Sequence, residues 1–391
     1  LPDIQAMTFQ HPGVSPIIMN KDESHTSTEP ITLLSRLLLA SERGDNQNPL
    51  AGGISGAAEQ LQSLASYSSH DLSELWNLAT TNHVIMRTFP ALRRLFAAQG
   101  NDKARWIEDA LRREQARIDH ALSYLAPICE ALQGIGDVIV IKSLDHWPDL
   151  GGDLDLYTNA KGPEVVGVML ERFKARVAER SWGDRLANKW NFVVPGLPEL
   201  VEVHVGRLGQ TGEQVAITNS LVNRATIRQL GSHTFPVPAN EDRLMIGTLQ
   251  RMYRHFYIRL CDIADTASLI DAEAIEYPYL KSLAESAGLW AGLATYLTIV
   301  SEYVESYRGT RPPLPALVKS AARFGNEQVY FKRRFLRIPI FPQAIGLYAS
   351  EWERLLLGGE FQNTLRLSLL PPLAAAAALE LKLTGSDKGI W

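Results

Sequence analysis

The sequence predicts an α+β protein: a small mixed β-sheet flanked by N-terminal helices and followed by a C-terminal helical domain. Three observations carry this. Apolar residues recur at helical spacing from Asp102 to about Leu132. Between Asp137 and Val205 the period drops to that of strands. From Asn240 onward it returns to helix, with an apolar stripe through Leu244, Leu249, Met252, Tyr253, Phe256, Leu260, Ile263 and Ala267.

In chain order, residues 1–60 read as an arm and loop with one short helix at Ile31–Ala40, since Ser41–Gly56 is rich in Gly, Asn and Ser. Residues 61–132 form an N-terminal helical region. Asp71 with Glu74 three positions on has the look of a capping box, opening a helix toward Ala97 that should break near Pro90. Along the Asp102–Leu132 helix, Ile107, Leu111, Ile118, Leu122 and Leu125 keep helical spacing, while Arg112, Arg113, Glu114 and Arg117 fall largely on other faces. Residues 133–239 hold the sheet, with strands at Asp137–Lys142, Asp153–Thr158, Trp190–Val194 and Leu200–Val205. A helix at Pro163–Val177 separates the pairs, its proline suited to a first turn. Residues 240–391 form the helical domain. It opens with one long helix from Asn240 to about Asp271. Further helices are expected at Tyr277–Ser286, Leu289–Tyr307, Leu314–Phe324, Ala344–Leu357 and Leu373–Leu383.

Composition narrows the function classes. With 391 residues and 46% hydrophobic content, the chain can fill more than one core. A net charge of −4 gives no overall attraction for nucleic acid. The interleaved run Phe331-Lys-Arg-Arg-Phe-Leu-Arg337 therefore reads as a solvated turn before it reads as an RNA surface. Cys129 and Cys261 are isolated and suit packing in a reducing, cytoplasmic setting. The longest uncharged run, Ser286–Ser301, is 16 residues, short of the roughly 20 that cross a membrane. Residues 1–30 lack a secretory layout, and no membrane partner is expected.

Chemistry concentrates between Asp137 and Tyr157. A β-branched strand ends at Lys142-Ser143, a turn with Pro148 and Gly151-Gly152 follows, and Asp153-Leu-Asp-Leu156 opens the next strand. Alternation puts Asp153 and Asp155 on one face and Leu154 and Leu156 on the other. Two carboxylates so placed call for a cation, and Mg²⁺ commonly shares such oxygens with substrate phosphates. Glu202, within Leu200-Val-Glu-Val-His204, alternates likewise on a later strand. On the expected long helix, Arg251, His255, Arg259 and Asp262 form one polar stripe, either self-paired or facing a nucleotide.

Ser143, Gly152, Asp153, Asp155 and the later Glu202 together resemble the polymerase-β-type nucleotidyltransferase superfamily. The wider layout is similar to its uncharacterised bacterial subgroup, through Ile141-Lys142-Ser143, Glu202-Val203-His204, Pro238-Ala-Asn-Glu-Asp-Arg-Leu244 and Arg259-Leu-Cys-Asp262. This resemblance spans roughly residues 100 to 275. It implies a nucleotidyltransferase core in which Asp153, Asp155 and Glu202 hold two Mg²⁺ ions. Lys142, Ser143, His146 and Gly152, with Arg251, His255 and Arg259, would receive a nucleoside triphosphate such as ATP. The reaction implied moves a nucleoside monophosphate onto a hydroxyl, with release of pyrophosphate. The acceptor would be a small molecule or a protein hydroxyl, with an RNA end less favoured. Where the family has glycine at the turn, this chain has Lys142-Ser143. A nucleotide-binding scaffold without turnover, or a metal-dependent phosphohydrolase, is therefore the alternative.

Overall fold

The structure is a computed structural model and describes residues 29–41 and 67–384. The expected arm and most of the expected loop at residues 1–60 lie outside the described residues.

Among the described residues, four helices precede the sheet: α1 (Glu29–Ser41), α2 (Ser69–Thr81), α3 (Ile85–Ala98) and α4 (Lys103–Gln133). The capping box of α2 is Ser68 with Asp71, not Asp71 with Glu74. The Ser68 hydroxyl accepts the Asp71 amide at 3.2 Å, and the Asp71 carboxylate accepts the Ser68 amide at 2.8 Å. The break between α2 and α3 falls at Asn82–Val84, not at Pro90, which lies inside α3. Long-range partners decide this: the Asn82 side chain donates to the Arg334 carbonyl at 3.0 Å and accepts the Leu260 amide at 3.1 Å. His83 then turns the chain with a φ of 50°.

The sheet is built from β1 (Val138–Val140), β2 (Asp153–Thr158), β3 (Arg176–Val177), β4 (Lys189–Val193) and β5 (Leu200–Val205), in the order β1-β2-β5-β4-β3. Strands β2 and β5 are parallel and the other neighbours antiparallel, so the sheet is mixed as expected. Helix α5 (Gly162–Phe173) carries its proline in the first turn and ends at Lys174, in the left-handed region. It therefore stops short of Val177, which pairs as strand β3 instead. A short helix α6 (Trp182–Leu186) leads into β4, and α7 (Ala216–Asn223) leads into a hairpin of β6 (Thr226–Leu230) and β7 (His233–Val237). Gly231 opens its two-residue turn with a φ of 58°, which glycine allows cheaply.

The single long helix expected from Asn240 to Asp271 is two helices. Helix α8 (Asn240–Thr248) passes into a wider π-helical stretch, Leu249–His255, which ends at Phe256 with a φ of 54°. Next comes β8 (Tyr257–Ile258), and only then α9 (Leu260–Asp271). The apolar spacing is real, since Met252, Leu260, Ile263 and Ala267 are all buried. What overrides a continuous helix is strand pairing, Leu336 with Ile258 and Arg337 with Tyr257, which holds those two residues extended. The partners come from β9 (Tyr330–Lys332) and β10 (Phe335–Arg337), a hairpin turned at Arg333-Arg334. The basic–aromatic run is thus mostly strand.

Helices α10 (Tyr277–Ser286) and α11 (Trp290–Arg308) follow α9. A single turn, α12 (Ala316–Lys319), replaces the longer helix expected at Leu314–Phe324. The described residues end with α13 (Ile345–Leu357), α14 (Phe361–Ser368) and α15 (Leu370–Thr384). Two cores result. One joins α1, α2 and α3 to α8, α9 and α11, and takes in Ile139, Ile141 and Tyr157. The other packs α4 and α5 on the sheet and the β6–β7 hairpin. Helix α4 serves both, Ile107 in the first and Ile118 to Leu132 in the second. Among the described residues, no helix is long and apolar enough to cross a membrane.

Candidate functional site

Parallel pairing of β2 with β5 sets Asp155 beside Glu202 and Asp153 beside Leu200. Because side chains alternate, Asp153, Asp155 and Glu202 share one face. Leu154, Leu156, Val201 and Val203 are fully buried on the other, which anchors the register. Strand β4 adds Lys189, paired in register with His204.

Cations and an imidazole interleave with these carboxylates. The Lys142 ammonium pairs with Asp155 and stands 3.7 Å from Glu202. Lys189 lies 3.1 Å from Glu202 and 2.8 Å from Asp184. His204 Nε2 is 2.9 Å from Glu202 and 3.8 Å from Asp155, while its buried Nδ1 has no partner. Burial alone would raise the Glu202 pKa, but Lys189, Lys142 and His204 outweigh it and hold the carboxylate well below its ordinary value. Asp153 has less help. Burial, then the charges of Asp155 and Glu202, push its carboxyl up to about 7 against the lysines' partial relief. Donor atoms of Asp155, Glu202 and His204 lie within 4.8 Å of one another, close enough to share one cation.

The turn after β1 is tight. Ser143 N–H donates to the Ile141 carbonyl at 2.7 Å around Lys142, whose φ is 64°. A positive φ on a residue with a side chain costs roughly 1–3 kcal/mol and persists only where the surroundings enforce it. Enforcement comes from Ser143, whose hydroxyl donates to the Asp153 carbonyl at 3.2 Å and accepts the Asp155 amide at 2.7 Å. Both Ser143 groups expected to meet a triphosphate are thus engaged in clasping the turn to β2. Gly152 leads into β2 with open space where a Cβ would stand. Arg117 of α4 fixes the preceding loop, donating to the Leu150 carbonyl at 2.8 Å and pairing with buried Glu199 at 2.6 Å.

The other expected residues join a second network. His146 Nδ1 is 2.5 Å from Asp265. Arg87 bridges Asp265 at 2.7 Å and Asp149 at 3.1 Å. Arg251 is buried against Asp262 at 2.6 Å, and Arg259 donates to His83 Nε2 at 2.6 Å. The His255 ring lies tilted against Tyr257, and burial, then Arg254, Arg251, Arg259 and Lys142, hold its pKa well below the ordinary value. The stripe of Arg251, His255 and Arg259 therefore does not lie along one helix, and its arginines are committed to neighbours. The donor atoms of His146, Cys261 and Asp262 form a second group within 4.8 Å of one another.

Sequence reasoning missed Lys189, Arg87, Asp149 and Asp265. Alternation in Lys189-Trp-Asn-Phe192 places Lys189 opposite the buried face and could have revealed it. Nothing local marks Arg87, whose carboxylate partners are 62 and 178 positions away. A narrow cleft opens beside Lys142 and His204, bounded by Leu208, Tyr253, Arg254 and the buried carboxyl groups of Glu213 and Glu351. Compared with known proteins, the chain matches no family model, no curated protein and no solved structure.

Proposed function

We propose that the protein is a cytoplasmic nucleotidyltransferase that moves a nucleoside monophosphate from ATP or another nucleoside triphosphate to a hydroxyl, releasing pyrophosphate. The acceptor is a small molecule or a protein side chain. One observation carries the reading: three carboxylates from two parallel strands share a face, and one of them, the half-buried Asp153, is only partly offset by the nearby lysines. The carboxylate oxygens of Asp153, Asp155 and Glu202 would be the ligands of Mg²⁺, a hard ion that takes oxygen donors, with His204 beside them supporting Glu202. When bound, a pair of such ions supplies charge stabilisation at the attacking and leaving oxygens.

The chain's own groups do the rest. His204 orients Glu202 through its Nε2 contact. Lys142, already among the carboxylates, and Arg254 line the adjoining cleft and are the cations that a phosphate entering it would meet. Backbone strain at Lys142 is the kind that clusters at working sites. The same pairing of Lys142 also favours a second reading, a nucleotide-binding scaffold in which lysine stands permanently where a metal would.

The test is label transfer. The full chain is incubated with Mg²⁺ or Mn²⁺, cell extract, and each nucleoside triphosphate labelled at the α- or the γ-phosphate. Label from the α-position should pass to an acceptor and should be lost in Asp155→Asn. Release of inorganic phosphate would mean a phosphohydrolase. Binding without any turnover would leave the scaffold.

A further inference from the structure

We propose that His146, Cys261 and Asp262 form a second metal centre, built for a thiolate-accepting divalent cation of the zinc class and separate from the carboxylate face of the sheet. The donors come from two distant parts of the chain, the loop after β1 and the start of α9, yet all three lie within 4.8 Å of one another. A single borderline-soft ion bonds imidazole, thiolate and carboxylate at about 2.0–2.3 Å, so donors on it stand roughly 3–4 Å apart. His146 Nε2 and Asp262 Oδ1 are 3.9 Å apart, within a short adjustment of that spacing.

Each donor is prepared by its surroundings. His146 Nδ1 is held by Asp265 at 2.5 Å, which orients the ring and leaves Nε2 facing Asp262. A carboxylate behind a histidine in this way is the usual outer support of a metal-bound imidazole. Asp265 is itself fixed by Arg87 at 2.7 Å. On Asp262, Oδ2 accepts the Arg259 amide at 2.8 Å and pairs with Arg251 at 2.6 Å, so Oδ1 is the oxygen left over. Cys261 is fully buried, yet it is in hydrogen-bond contact with His146. Hard ions such as Mg²⁺ prefer all-oxygen sites, whereas a thiolate with an imidazole selects zinc, cobalt and their neighbours.

Loading forms metal–sulfur, metal–nitrogen and metal–oxygen bonds. It breaks the Cys261 S–H bond, and the Nε2–H bond where the imidazole carries that proton; both protons leave to solvent and no electron moves. The ion would tie the loop beneath the sheet to α9, and so one core to the other.

Cobalt is the probe, because a thiolate bound to Co²⁺ gives a near-ultraviolet charge-transfer band that oxygen and nitrogen donors do not. Metal-free full-length protein, kept reduced, is titrated with Co²⁺. One equivalent should bring up the band and raise Tm. Cys261→Ser should lose the band, whereas Cys129→Ser and Asp155→Asn should keep it. The chain has only two cysteines, so the band in Cys129→Ser assigns it to Cys261 even if Cys261→Ser does not fold. Absence of the band in folded wild-type protein overturns the proposal, as does a band that survives in Cys261→Ser.

Discussion

Two charged clusters lie side by side in this molecule and balance their carboxylates differently. On the sheet, Asp155 and Glu202 are paired with Lys142 and Lys189, and Asp153 is only partly relieved by the same lysines. Behind it, Asp149, Asp262 and Asp265 are matched by Arg87 and Arg251, with Asp145 paired to Arg243 at 2.8 Å. Lysine is a point charge on a flexible stem, and arginine is a planar fork that fixes the direction of its partners. The sheet cluster can therefore exchange its cations, while the network behind it sets geometry. The difference is one of displaceability rather than of charge.

The largest expected effect tests the fixed side. Arg87→Ala strands Asp265 and Asp149 in a buried setting and should cost about 3–5 kcal/mol in urea unfolding. A loss below about 1 kcal/mol would show that the network is not rigid and would break the contrast.

A smaller effect tests the exchangeable side through pH. The Asp153 carboxyl sits at about 7 in the folded chain, above the ordinary 3.8. The fold thus favours its protonated form. The stability this contributes is complete at acid pH, is lost as pH rises from about 4 to about 7, and is level above that. Tm measured without metal between about pH 5 and 8 should fall in the wild type and flatten in Asp153→Asn. Added Mn²⁺ should flatten the wild-type curve too. Parallel curves for the two proteins would remove Asp153 from the cation-binding argument.

The smallest effect concerns Lys142→Gly. Glycine relieves the left-handed turn by about 1 kcal/mol, which offsets part of the loss of the partly buried ion pair to Asp155, so stability should fall by less than in Arg87→Ala. Mn²⁺ affinity, read by calorimetry, should rise several-fold as the competing ammonium disappears. A fall in affinity would mean that Lys142 supports the cation instead of standing in for it.

Legibility in the sequence followed the range of the forces involved. Alternation revealed the β2 and β5 strands and the shared face of Asp153, Asp155 and Glu202, because burial of Leu154, Leu156, Val201 and Val203 enforces that register. Helix α4 was legible for the same reason. The break at Phe256 was not, since it depends on β10, some 80 positions onward, pairing with Tyr257 and Ile258. The hairpin at Gly231-Ser232 carried a local signal, a two-residue turn between strand-like runs, and was simply overlooked. Helical spacing makes Arg251 and Arg259 a polar stripe, either self-paired or facing a nucleotide, and the resemblance adds His146 as a phosphate contact; neither signal discloses that Asp262, Asp265 and His83 already hold them.

Helix α4 imposes a further restriction on how the chain can vary. It runs 31 residues, and its two ends lie in different cores. One residue added between Ile107 and Ile118 would turn everything beyond it by about 100° and slide it by about 1.5 Å. Arg117 would swing away from Glu199 and the Leu150 carbonyl, and the loop before Asp153 would lose its brace. A side-chain change on this helix acts at its own position and leaves the register of the rest in place. A change in its length, however conservative the inserted residue, does not.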